Sequence, residues 1–73
     1  MNRGNYKGIR WSYSFIFNYG TKLMLFIDGE EYIIDLETYN KDIYKLSMEE
    51  LEEFVETNVI PPRVEEFKEK FYF

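Results

Sequence analysis

Cysteine and histidine are both absent from this sequence of 73 residues. Without cysteine no disulfide can stabilise the chain, and without either residue type most structural zinc sites cannot form. Nucleophilic catalysis usually pairs a serine or cysteine with a histidine base, so the same absences argue against an enzyme. We therefore expect a protein without enzymatic activity, cofactor or metal site.

Long hydrophobic runs are missing as well. Residues 11–20, within the longest uncharged run of the chain, are interrupted by polar side chains and make up half of the roughly 20 residues that a membrane helix needs. Arg3, Lys7 and Arg10 lie near the N-terminus, but no small-residue cleavage site follows them, which argues against a secretory signal. The sequence predicts a cytoplasmic protein without membrane contact.

Acidic residues are absent from the first 27 positions, which hold four basic residues. All 14 Asp and Glu residues follow, and the net charge of the chain is −5. An acidic protein repels phosphate backbones, so direct nucleic-acid binding is disfavoured. The expected partner is another protein with a basic surface, and self-association is the alternative.

Residues 9–18 alternate between large apolar side chains and mostly polar ones, which is typical of a strand with one buried face. A three-residue loop at 18–20, closed by glycine, suits the connection to the next strand. This loop length places the aromatic side chains on the same face as the aliphatic ones of that strand. The expected pairs are Trp11 with Ile27, Tyr13 with Leu25, Phe15 with Leu23 and Phe17 with Thr21.

Asp28 and Gly29 predict a type I′ hairpin between strands at 22–27 and 30–36. The expected pairs across this hairpin are Leu25 with Tyr32, Leu23 with Ile34 and Lys22 with Asp35. The predicted core face consists of Trp11, Tyr13, Phe15, Phe17, Leu23, Leu25, Ile27, Tyr32, Ile34 and Leu36. Residues 37–46 give a weaker pattern, for which we favour a short fourth strand over a loop.

Ser47 begins a helix, because its side chain can cap the first turn while Glu50 completes a capping box. Asn58 and the pair Pro61–Pro62 are predicted to end this helix. Pro62 then suits the first turn of a second helix. The apolar residues of this second helix, at helical spacing, are Val64, Phe67 and Phe71.

The predicted fold is therefore α+β, in a single domain that comprises residues 1–73. An antiparallel β-meander of three strands, or four if residues 37–46 form one, precedes two amphipathic helices. Both helices are expected to pack on the aromatic face of the sheet, because a chain of this length can build only one small core.

Acidic side chains crowd the predicted helices and form the first candidate partner-binding surface. They are Glu49, Glu52, Glu53, Glu56, Glu65, Glu66 and Glu69. The acids of the first helix flank its apolar stripe on the solvent side, which favours a solvated face over a metal site. Most such surfaces keep a protein soluble, whereas a minority imitate the phosphates of nucleic acid and occupy a basic groove on another protein.

The second candidate is the sheet face opposite the aromatic one, which is not cleanly polar. Its apolar residues are Ile16, Met24, Phe26 and Ile33. If both helices cover the aromatic face, these residues form a partner or dimer surface. If the helices divide between the two faces, the same residues are part of the core.

The leading hypothesis is a non-enzymatic protein-binding module, an acidic inhibitor of the nucleic-acid-mimic type. Its small size, acidity and lack of catalytic residues resemble those of phage-encoded inhibitors of host defence, a likeness in composition without a shared motif. The alternative is a homo-oligomeric structural or accessory protein that uses the second sheet face as its interface.

Overall fold

Four antiparallel strands form one sheet in which each strand pairs with the next along the chain. The computed structural model describes residues 2–16 and 21–71. The strands are β1 (Asn2–Tyr6), β2 (Ile9–Ile16), β3 (Lys22–Ile27) and β4 (Glu30–Asp35). Two short 3₁₀ turns and one continuous helix follow. The predicted α+β class and β-meander are confirmed.

Two hairpins close through two-residue turns with left-handed backbone. Asp28 and Gly29 have φ angles of 49° and 89° and join β3 to β4, so the type I′ prediction is confirmed. Lys7 and Gly8, with φ angles of 51° and 87°, join β1 to β2 in the same way. The loop predicted at 18–20 lies outside the described residues.

The register of β2, β3 and β4 agrees with the prediction wherever both partners are described. The observed pairs include Trp11 with Ile27, Tyr13 with Leu25, Phe15 with Leu23, Leu25 with Tyr32, Leu23 with Ile34 and Lys22 with Asp35. Because side chains alternate along each strand, this register places the predicted core residues of β2, β3 and β4 on one face of the sheet. The pair of Phe17 with Thr21 lies outside the described residues.

The sheet has a strand that the sequence did not predict, β1 at its N-terminal end. The prediction of a short strand at residues 37–46 was wrong. The 3₁₀ turn Leu36–Thr38 begins one residue before that segment, and the 3₁₀ turn Ile43–Lys45 lies within it. The Asp35 carboxylate accepts a bond from the Glu37 N–H, and the Asn40 side chain accepts one from the Asp42 N–H. These local bonds compete with strand pairing and turn the chain.

The helix begins as predicted, with Ser47 as its N-cap. The Glu50 N–H donates to Ser47 Oγ over 3.2 Å, and the Ser47 N–H donates to Glu50 Oε1 over 3.0 Å, which completes the capping box. The helix has three consecutive parts: α1 (Met48–Phe54), a π-helical segment (Val55–Val59) and α2 (Ile60–Phe71). Together they form one helix of 24 residues, so the prediction of two separate helices was wrong.

The π-helical segment explains why the helix continues past the two prolines. Its wide turn is closed by the Ile60 N–H, which donates to the Val55 carbonyl five residues earlier. In a regular α-helix each proline ring would collide with the carbonyl four residues before it. The wide turn lies directly before Pro61 and Pro62, at the place where a regular helix would bring those carbonyls against the rings.

The same turn corrects an offset in the apolar pattern of the helix. Leu51, Val55 and Val59 recur every four residues, but the next buried residue is Ile60, one position later. A regular helix would rotate each residue by about 100° from the last, and the two halves of the apolar stripe would diverge. A π turn accommodates one extra residue, so both halves lie on the same side.

One hydrophobic cluster contains the buried side chains of the sheet and of the helix. Its buried members are Ile9, Tyr13, Leu23, Leu25, Ile27, Ile34, Leu36, Ile43, Leu51, Val55, Val59, Ile60, Val64 and Phe67. Trp11, Phe15 and Tyr32, also on the predicted core face, are partly buried against the cluster. Within the described ranges, no helix is both long enough and apolar enough to cross a membrane.

Candidate binding surfaces

The second sheet face, called here the open face, consists of the side chains that alternate with the core residues. Its members are Arg3, Asn5, Arg10, Ser12, Ser14, Ile16, Lys22, Met24, Phe26, Glu31, Ile33 and Asp35. None of them is buried. The helix contributes its buried residues to the cluster that contains the opposite face. The described part of the helix therefore leaves the open face uncovered.

Apolar side chains occupy the middle of the open face. Met24 lies between Ser14 and Ile33 on the neighbouring strands, and Ile33 is 54% exposed. Phe26 is half-buried in the next row of the sheet. All four residues of the second predicted surface, Ile16, Met24, Phe26 and Ile33, thus share this face and remain outside the buried core.

Charges of opposite sign lie at opposite edges of the open face. Arg3 on β1 and Arg10 on β2 are diagonal neighbours on one side. Glu31 and Asp35 lie on β4, at the other edge of the sheet. Lys22 stands next to Asp35, with its Nζ 3.6 Å from the carboxylate. The face thus has a basic side, an apolar middle and an acidic side.

A groove of about 740 Å³ runs along the basic side. It is lined by Arg3, Gly4, Asn5, Arg10, Trp11, Ser12, Phe26, Asp28 and Gly29. Neither arginine takes part in the ion pairs that connect described residues.

The acidic residues of the helix are less available than the sequence suggested. Glu56 accepts a hydrogen bond of 2.5 Å from the Tyr13 hydroxyl, and Glu52 accepts one of 2.5 Å from the Asn2 side chain. Asn2 also donates to the Tyr13 hydroxyl over 2.8 Å. These bonds connect β1, β2 and the helix in one polar network at the margin of the core.

Glu65 and Glu66 also have partners within the chain, on different elements. The Lys7 ammonium in the β1–β2 turn lies 2.8 Å from the Glu65 carboxylate. Glu66 lies 3.7 Å from Arg63, in the adjacent turn of α2. Among the seven acids predicted to bind a partner, Glu49, Glu53 and Glu69 are exposed and make no hydrogen bond or ion pair with a described residue.

Shifted pKa values mark these same contacts. Burial, and then the hydrogen bond to Glu56, raise the pKa of the Tyr13 hydroxyl. The hydrogen bond from Lys7 lowers the pKa of Glu65, and the backbone N–H of Ser47 lowers that of Glu50. A group that transfers protons near neutral pH needs a pKa close to 7. The pKa of Tyr13 is ordinarily 10.0 and is raised further, so it moves away from that range. The polar network therefore suits a structural role.

Metal binding finds no support in the described part of the chain, where no group of three or more acidic side chains is arranged to hold an ion.

Two features of the surface were not predicted from the sequence. The polar network depends on Asn2, which lies in a strand without apolar alternation. The basic side of the open face depends on Arg3, and the signal that could have placed it was the turn at Lys7–Gly8.

Comparisons with protein-family models, with curated proteins and with solved structures found no match to this chain. The function must therefore be inferred from its surfaces.

Proposed function

We propose that this protein is a non-enzymatic protein-binding module that contacts its partner through the open face. The observation that carries the proposal is the apolar middle of that face, where Met24, Phe26 and Ile33 remain outside the buried core. A sheet with one solvated face normally places polar side chains on it. A contiguous exposed apolar patch with charged borders is typical of an interaction surface.

The proposal is tested by capture of partners from a lysate of the source organism. Met24→Lys and Ile33→Lys place a charge in the middle of the open face, and each should lose a protein that the wild type retains. Tyr44→Lys is the matched control, because Tyr44 is 68% exposed on the 3₁₀ turn Ile43–Lys45. Equal retention by all four proteins, with folding checked by circular dichroism, would refute the proposal.

A second candidate function is supported by Glu49, Glu53 and Glu69, which are exposed and have no partner among the described residues. In this proposal the helix occupies a basic surface of another protein, as an inhibitor that imitates nucleic acid would. A phage-encoded inhibitor of host defence is one protein of this kind. The cytoplasmic location expected from the sequence remains a prediction in both cases.

Salt dependence distinguishes the second candidate from the first. Binding through exposed carboxylates should weaken steeply as salt rises, since screening acts over about 10 Å at 0.1 M salt. Glu49→Gln and Glu53→Gln should each weaken it further, whereas Met24→Lys should leave it unchanged. A captured partner that resists high salt and is lost with Met24→Lys would favour the open face.

A further inference from the structure

We propose that the partner of the open face is a second copy of this chain, stacked face to face about a two-fold axis parallel to the strands. The inference rests on the proposed function, because it names the occupant of the same face. Two features carry it, the order of charges across the sheet and the pairing of large with small side chains, and the area of the face determines how strong the dimer can be.

The symmetry axis determines which strands meet. The strand order is β1-β2-β3-β4, so a two-fold rotation about an axis parallel to the strands reverses this order in the second copy. β1 of one copy then lies over β4 of the other, and β2 lies over β3. Residues that share a row across the sheet stay in that row, because the rotation keeps positions along the strand direction.

One row of the open face shows the charge complementarity. Arg3, Ser12, Phe26 and Glu31 are consecutive neighbours across the four strands. After the rotation, Arg3 lies opposite Glu31 of the second copy, and Glu31 lies opposite its Arg3. A two-fold interface repeats every contact, so this row alone supplies two pairs of opposite charge.

Side-chain size is complementary in the same arrangement. Ser12 lies opposite Phe26 of the second copy, and in the next row Ser14 lies opposite Met24. In these two pairs the large apolar side chain meets a small one, which is the condition for close packing between two sheets. Both pairs lie on the two central strands, near the axis, where the angle of about 30° between stacked sheets disturbs the register least.

The other two-fold axis in the plane of the sheet, perpendicular to the strands, is disfavoured by the same residues. It would place β1 over β1 and β4 over β4. β1, which carries Arg3, would then lie antiparallel over its own copy, and so would β4, which carries Glu31 and Asp35. Like charges across an interface repel each other, so the distribution of charge selects the axis parallel to the strands.

The size of the face determines the strength expected of the dimer. Four strands at about 4.8 Å and six residues at about 3.4 Å give a face of about 19 by 20 Å, or roughly 400 Å² per copy. Stable interfaces bury about 800 Å² per partner. We therefore expect a weak dimer that dissociates on dilution.

Sedimentation equilibrium from about 10 μM to about 1 mM tests the inference, because this range brackets a weak dissociation constant. The wild type should show a monomer–dimer equilibrium. Arg3→Glu and Glu31→Arg should each raise the dissociation constant about tenfold or more, because each places two like-charged pairs in the interface. The double variant Arg3→Glu/Glu31→Arg should restore dimerisation, since both symmetric pairs regain opposite charges.

A mixture of the two single variants gives a second readout. In the mixed dimer, the new glutamate of one chain faces the new arginine of the other, and the two native residues face each other. Proteins that self-associate poorly alone should therefore associate when mixed. Glu53→Arg is the control, because it makes the same change of charge on the exposed side of the helix and should leave the wild-type equilibrium unaltered.

Three results would overturn the inference: a monomer at the highest concentration, a dimer indifferent to the charge reversals, or a double variant that dimerises no better than the single variants. The lysate experiment separates this failure from that of the proposed function. A monomer that still loses a captured partner with Met24→Lys retains the proposed function and excludes the second copy. A monomer without such a partner refutes both.

Discussion

Gly4 and Trp11 are direct partners across β1 and β2, and the indole lies over the glycine backbone. A Cβ atom added at Gly4 would overlap the indole, with Cη2 at 2.8 Å and Cε2 at 2.9 Å. We expect Gly4→Ala to destabilise the protein by about 1–3 kcal/mol, because the ring must leave its packed position. Urea unfolding followed by the fluorescence of this single tryptophan measures the loss.

A double-mutant cycle tests whether the loss of stability in Gly4→Ala comes from the indole of Trp11. In a Trp11→Val background the added methyl group has space, so Gly4→Ala should cost much less than in the wild type. Equal costs in the two backgrounds would show that the glycine serves the strand backbone and not the ring.

Tyr13 connects the sheet to the helix through its hydroxyl. Tyr13→Phe leaves Glu56 and Asn2 without this partner, so we expect a loss of about 1–3 kcal/mol at neutral pH. Tyr32→Phe is the matched control, because the Tyr32 side chain is half-buried and its hydroxyl makes no hydrogen bond in the described ranges. Urea denaturation compares the two variants, and equal losses would exclude a special role for the network.

The raised pKa of Tyr13 adds a dependence on alkaline pH. Its ordinary value is 10.0, and burial raises the pKa in the folded state. Above pH 10 the unfolded chain releases the Tyr13 proton while the folded protein retains it, so unfolding becomes more favourable as pH rises. Tyr13→Phe should reduce this alkaline loss of stability, and an unchanged slope between the two proteins would contradict the assignment.

At the level of elements, the π-helical segment should allow the helix to lose one residue without loss of folding. Removal of Asn58, together with Pro61→Ala and Pro62→Ala, should convert 48–71 into a regular α-helix with the same buried side chains. The shortened helix loses the extra residue that the π turn accommodates, and the alanines no longer collide with earlier carbonyls. Circular dichroism and urea denaturation should show a folded protein of stability close to that of the undeleted alanine variant.

A second deletion serves as the control for this prediction. Glu66 is exposed in α2, where no wide turn can absorb the loss of a residue. Its removal in the same alanine background should rotate Phe67 by about 100° and expose it, with a loss of roughly 3–5 kcal/mol. If both deletions are equally harmful, the apolar offset does not explain the π segment.

The elements that could be predicted from the sequence are those determined by local chemistry. The period of two in β2 and β3, with Asp28–Gly29 between β3 and β4, determined the register, because a slip by one residue would expose the core face. The capping box at Ser47 determined the start of the helix. β1 could not be predicted in this way, because residues 2–6 lack apolar alternation and gain their structure by pairing with β2.

The end of the first helix shows a second limit of local patterns. Pro61–Pro62 usually stops a helix, and only the burial of both Val59 and Ile60 reveals that the chain continues through a wide turn. For the candidate sites, alternation alone placed Met24 and Ile33 together on the open face. The contacts of Glu52 and Glu56 depend on Asn2 and Tyr13, which no spacing rule connects with the helix.

For the whole molecule, the basic residues of the N-terminal half fall into two groups: one is paired with the acidic half, and the others lie on the open face. Lys7 in the basic half is paired with Glu65 in the acidic half, which fastens the first hairpin to α2. Arg3 and Arg10 take part in no such pair among the described residues and remain on the open face. The charges thus both connect the two halves of the chain and give the open face a basic side.

The contact between these halves predicts how the protein responds to acid. Lys7 lowers the pKa of Glu65 below its ordinary value of 4.5, and the Ser47 backbone N–H does the same for Glu50. As pH falls through 4.5, the unfolded chain takes up these protons first, so stability present above that pH is lost as pH falls further. Glu65→Gln should be less stable than the wild type at pH 7 and should lose less stability on acidification.

Urea midpoints between about pH 2 and pH 7 measure how the stability of the two proteins changes with pH, and the two curves should converge in acid once the native carboxylate is protonated. Glu69→Gln, which changes an exposed residue without an ion pair in the described ranges, should follow the wild type; if it follows Glu65→Gln instead, net charge and not the contact with Lys7 governs the response.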